Sequence, residues 1–152
     1  MTGAILPALL AGAAAVAGVS GDISHRHNVR IDHHRGAIDA EYRSRVLITH
    51  KQVGSVTPGR ASSTLRCQWQ ATLIVDRDAR QAGGAMMART MTRDSALAGS
   101  RPGWCEGARR AIAQDVAARE SVLRDQLAAV AADDHAVLTA EIDRLHDPVR
   151  RG

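Results

Sequence analysis

The 152-residue chain has no phenylalanine, and aromatic residues make up 2% of it although 45% is hydrophobic. Alanine therefore supplies much of the apolar content, and each alanine removes little area from water. A thick, ring-filled core is excluded, and a domain of this size profits from a covalent staple or a partner. Lysine is nearly missing as well: Lys51 stands alone, and arginine carries almost all of the positive charge. The net charge is +4, but the arginines are scattered with acids between them. Tyr42, Trp69 and Trp104 do not interleave with a basic run, as a base-stacking platform requires. The charges read as a solvated surface, and nucleic acid is not an expected partner.

Catalytic signatures are missing too. The chain contains no G-x-S-x-G elbow, no H-E-x-x-H pair and no phosphate-cradling glycine loop. Serines, histidines and aspartates are plentiful, but nothing selects one set as a triad. GGAMMART, residues 83–90, is a turn running into a strand rather than a nucleotide loop. The two cysteines, Cys67 and Cys105, are too far apart for a C-x-x-C motif, so neither redox catalysis nor a zinc knuckle is expected.

No apolar run reaches the roughly 20 residues of a membrane-spanning helix. The run from Ala4 to Val19 is shorter, rich in Ala and Gly, and ends in small residues. Ala15-Val16-Ala17 fits an A-x-A cleavage site, and Gly18-Val19-Ser20 a weaker one. Met1-Thr2-Gly3 lacks the usual basic residue. Residues 1–20 are therefore expected to be a signal peptide or an N-terminal anchor. The rest of the chain would be periplasmic or extracellular, or membrane-anchored through residues 4–19 if the leader stays uncleaved.

Export implies an oxidising compartment, so the cysteines should be able to meet. Cys67 lies in STLRCQWQATLIV, where Leu65, Cys67, Trp69, Ala71, Leu73 and Val75 alternate with polar residues. Successive strand side chains point to opposite faces, so Cys67 belongs to the dry face of a strand. Cys105 opens a helical pattern with no proline between Pro102 and Pro148. Ser100 is a plausible cap, and Pro102 suits a first turn. Ile112, Val116, Leu123 and Val130 fall within roughly 20° of Cys105 around the helix axis. A helix laid on the sheet brings both sulfurs together. The bridge would close a loop of nearly forty residues and stabilise the domain by roughly 3–4 kcal/mol on the chain-entropy argument.

Upstream, Ile38, Ala40, Tyr42, Ser44, Val46 and Ile48 share a face opposite Asp39, Glu41, Arg43 and Arg45. With Pro58-Gly59 between the two alternating runs, the pattern predicts a long antiparallel hairpin over about 37–53/62–77. Residues 85–93 can add an edge strand despite Arg89, and 24–32 another. The expected fold is α+β: an antiparallel sheet of three to four strands covered by a long C-terminal helix over about 102–146. Residues 21–36 form a His-rich leading segment, 37–147 a single domain, and 148–152 a disordered tail.

Unbroken, that helix would be roughly 65 Å long, more than a small sheet can cover. Either Asp133 or Asp134 caps a second helix that folds back, or the distal half projects. The absence of a Gly or Pro in AAVAADDHAV favours a continuous or gently bent helix. Val137, Leu138, Ile142 and Leu145 would then form an apolar stripe offering a homodimer or protein-partner contact.

SHRHNVRIDHH, residues 24–34, holds four of the seven histidines. His25 and His27 project to the same side of a strand, a spacing that chelates Zn²⁺ or Cu²⁺. His33 shares their parity from farther along, and His34 points the other way. Arg26, Arg30 and Arg35 interleave with them and penalise a bound dication. The expected protein is thus a small exported, non-catalytic, envelope-associated binding or structural module. A periplasmic Zn- or Cu-binding protein using His25, His27, His33 and His34 is the alternative.

Overall fold

In the computed structural model the described residues are 19–56, 58–59 and 64–147, with only the backbone described for 19–22. The expected leader therefore lies outside the described residues except for positions 19 and 20, and the expected tail lies wholly outside them. Four strands follow one another as β1 (Val19–Ile31), β2 (Ile38–Val53), β3 (Arg66–Gln81) and β4 (Met86–Pro102). They form an antiparallel sheet in the order β1-β2-β3-β4. Two helices, α1 (Cys105–Ala117) and α2 (Glu120–His146), follow the sheet among the described residues. This is the α+β architecture that the alternation predicts, with the central hairpin at 38–53/66–81.

The period-2 pattern explains which face is covered. Ile38, Ala40, Tyr42, Val46 and Ile48 of β2 are buried, as are Cys67, Trp69, Ala71, Leu73 and Val75 of β3. On them lie Ile112 and Val116 of α1 and a row on α2 comprising Leu123, Leu127, Ala131, Asp134, Leu138 and Ile142. That row follows the three- and four-residue spacing that keeps side chains on one helical face. The opposite face of the sheet carries charged side chains.

Strand β4 runs well past the expected 85–93 and corrects the expected helix start. Leu73 pairs with Arg93 and Ala71 with Leu97, so β4 bulges between them, and Ser95 adopts a positive φ of 52°. Beyond the bulge the pairing resumes with its register shifted by two residues, and Ser100 and Pro102 belong to the strand rather than to a helix cap. The helix begins at Cys105 with Trp104 as its N-cap residue, which makes no side-chain capping bond. Gln52 supplies one instead: its Oε1 accepts from the Cys105 backbone N–H at 2.7 Å, while its Nε2 donates to Gly103 O at 3.1 Å. An orphan N–H at the helix start is thereby satisfied from the neighbouring sheet.

The helical region is not continuous, and its break is not near Asp133. It falls at Ala118–Arg119, where Arg119 leaves helical geometry at φ −103° and ψ 28°. No Gly or Pro marks the spot. Nor does the distal half project: Leu138 and Ile142 are fully buried on the sheet, Val137 is half-buried and Leu145 is exposed. The stripe read as a possible homodimer contact is therefore divided between core and surface.

Cys67 and Cys105 form a disulfide, with Cα atoms 4.7 Å apart. Trp69 is buried beside it and packs against Gly99, where an added Cβ would lie 2.6 Å from the indole. Trp104 does not wall the core, as it is 61% exposed.

Candidate functional site

A buried polar network that begins at Arg77 binds α2 to the sheet, and no histidine takes part in it. The position of Arg77 in β3 has the same parity as Val75 and Ala79, so its side chain enters the covered face and is wholly buried. Across from it, Asp134 interrupts the apolar row of α2 between Ala131 and Leu138. Arg77 Nη1 donates to Asp134 Oδ2 at 2.7 Å, and Nη2 donates to Glu141 Oε2 at 2.6 Å. Tyr42 Oη donates to the same Asp134 Oδ2 at 3.1 Å, and Arg89 Nη1 donates to Oδ1 at 3.1 Å.

Two cations and two carboxylates thus balance around one phenol. Burial alone would push the Arg77 guanidinium down, but its bonds to Asp134 and Glu141, with their charges, raise it overall. Asp134 receives three donors and is nearly inaccessible to solvent. Its lone pairs are engaged in fixing the helix, which suits it to structural clamping rather than to proton transfer.

Tyr42 reports on this network. Burial, then the Asp134 charge and hydrogen bond, push its phenol from 10.0 up to about 12. A raised folded-state value means that the stabilisation is complete below pH 10 and is lost as the pH climbs through about 12. We expect stability to fall across that alkaline window by roughly 2–3 kcal/mol. Tyr42→Phe should flatten the change, as measured by urea midpoints at stepped pH. An unchanged alkaline slope in the variant would mean that the phenol is not the titrating group.

The histidines are separated along β1. His25 pairs opposite Ser44 and His27 opposite Tyr42, both on the covered side. His25 Nδ1 lies 3.7 Å from Glu120 Oε1, at the first residue of α2. His33 and His34 follow the end of β1 and meet Asp143 in the last turns of the same helix. Those two ends of α2 are roughly 35 Å apart at the helical rise. A single centre therefore cannot draw on His25 together with His33 or His34. His50 stands elsewhere, opposite Trp69, and burial followed by the Arg109 charge lowers its pKa below the usual imidazole value.

The uncovered face carries a lattice of cross-strand pairs: Arg30–Asp39 at 3.0 Å, Arg26–Glu41 at 3.6 Å, Arg43–Asp78 and Arg45–Asp76. Exposed pairs of this kind contribute about 0–1 kcal/mol each. Their principal effect is on the character of the surface. Asn28, Arg30, Glu41, Arg43, Asp78 and Arg80 line a shallow open groove on this face.

Among the described residues no helix is long and apolar enough to cross a membrane. Comparison of the chain with protein-family profiles, curated proteins and solved structures finds no match in any of the three.

Proposed function

We propose that the chain is a small exported, non-catalytic module of the cell envelope that engages a protein partner through the uncovered face of its sheet. The observation that carries the export half is the Cys67–Cys105 bridge, which ties the sheet to the start of α1. Cytosolic thiols are held reduced, whereas such staples persist in secreted and periplasmic proteins. Cleavage after Ala17 would leave every described residue of β1, Val19–Ile31, in the mature protein.

The binding half rests on where the polar chemistry lies. Beneath the helices, both terminal nitrogens of Arg77 are taken up by Asp134 and Glu141. The outward face instead offers strands of 13 to 17 residues bearing both charge signs in paired rows. A surface of alternating sign complements another mixed-charge protein surface better than it does a polyanion.

Two measurements test the proposal. Intact mass of the protein recovered from the extracytoplasmic fraction should show a start at Gly18 and a mass about 2 Da below the reduced form. A photo-crosslinking residue at Ile74, on the open face, should yield discrete adducts in producing cells, whereas one at Asp125, on the outer side of α2, should not. A reduced cytosolic protein would remove the export half, and equal labelling from both positions would remove the binding half.

A further inference from the structure

We propose that the turn after β1 and the last turns of α2 form a site for a divalent transition metal of the Zn²⁺ class, held by His33, His34 and Asp143. The inference does not depend on the binding face proposed above.

His33 carries the argument. Its side chain is only 4% exposed, and its Nε2 has no hydrogen-bond partner among the described residues. That nitrogen nevertheless lies 3.3 Å from Asp143 Oδ1, and His34 Nε2 lies 3.7 Å from the same oxygen. The three ligand atoms all fall within 4.8 Å of one another. Two ligands on a tetrahedral zinc ion are about 3.3 Å apart, given bonds near 2.0–2.1 Å. Only a small inward movement is needed, and His34 and Asp143, at 67% and 45% exposed, are free to make it.

The backbone holds these groups in place. Gly36 N–H donates to His33 O at 2.9 Å, closing a tight turn in which Gly36 takes a positive φ of 112°. Gln81 Nε2 donates to Arg35 O at 2.7 Å and ties the turn to the end of β3. Asp143 is seated on α2 next to the fully buried Ile142. The tilted imidazoles of His33 and His34 stack with centroids 4.2 Å apart, so both can turn an edge toward the carboxylate.

The cations nearby are engaged. Arg35 has its guanidinium 3.8 Å from Asp147, and Arg144 donates to Ala140 O at 3.1 Å. One contact works against loading: Arg35 N–H donates to His33 Nδ1 at 3.2 Å. A metal on Nε2 leaves the ring proton on Nδ1, so this bond is given up. It is one long bond in an exposed turn, set against three new metal–ligand bonds. Two imidazoles and one carboxylate make a borderline donor set that suits Zn²⁺ better than Mg²⁺ or Ca²⁺. Three protein ligands leave a fourth position for water.

The test uses untagged full-length protein freed of metal by chelation and titrated with Zn²⁺ in a calorimeter. One Zn²⁺ per chain should bind at roughly micromolar affinity or better, and it should raise the melting temperature. Asp143→Asn and His34→Ala change exposed groups and should leave the metal-free melt unaltered. Each should weaken binding by about tenfold or more and abolish the thermal shift. His25→Ala/His27→Ala should bind as the parent does. The site is overturned by the absence of stoichiometric binding, by full binding in Asp143→Asn and His34→Ala, or by binding lost only on changing His25 and His27.

Discussion

Asp134→Ala is expected to destabilise the domain by roughly 3–5 kcal/mol, because it removes the central partner of a buried ion network. Arg77, with no solvent exposure, would keep only Glu141, and Tyr42 and Arg89 would each lose their bond to the carboxylate. The cost lies in an under-compensated guanidinium held away from water, not in the bond itself. Glu141→Ala should cost less, since that carboxylate is 29% exposed and Asp134 still faces Arg77. Replacing both central partners, as Arg77→Met/Asp134→Leu, should recover part of the loss by removing the stranded charge. Urea midpoints of the three variants order these effects. If Asp134→Ala unfolds at the parental midpoint, the network does not hold α2 on the sheet.

Loss of the disulfide should have an effect of similar size. Cys67→Ala/Cys105→Ala opens a loop whose ends are separated by 38 positions, and it should lower stability by roughly 3–4 kcal/mol. Cys67 is fully buried, so alanine fits there without a clash. Because the domain is small and the chain has no phenylalanine, little other stabilisation is held in reserve. Reductant should bring the parent to the midpoint of the double variant and leave the variant itself unmoved. Identical midpoints for oxidised and reduced parent would show that the bridge joins parts already held in place by packing.

The strands were readable because burial of one sheet face imposes a two-residue period. Ile38 to Ile48 and Leu65 to Val75 display that period directly, and it predicts the hairpin and the face on which Cys67 lies. The same rule extends through Arg77, which shares the parity of Val75, just as Asp134 shares the helical stripe of Ala131 and Leu138. A lone charge of each sign on two dry faces was thus a signal for the buried network, but neither residue announces its partner. Histidine spacing was less informative. Their two-residue spacing on β1 gave His25 and His27 a shared side, whereas the carboxylate that meets His33 and His34 comes from a helix more than a hundred positions later.

By itself, the order of residues determined the two-residue period of β2 and β3, the helical period after Cys105, and that each cysteine lies on a face that shuns water. Those properties are local: they follow from side-chain direction along a strand or around a helix. Only the tertiary structure decided that Arg77 meets Asp134, that α2 starts anew after Arg119, that β4 bulges near Ser95, and that Asp143 comes to rest beside His33. These contacts depend on how far each helix travels over the sheet and on the register at which it lies. Both are set by the sum of many packing contacts, and no short stretch of chain encodes that sum.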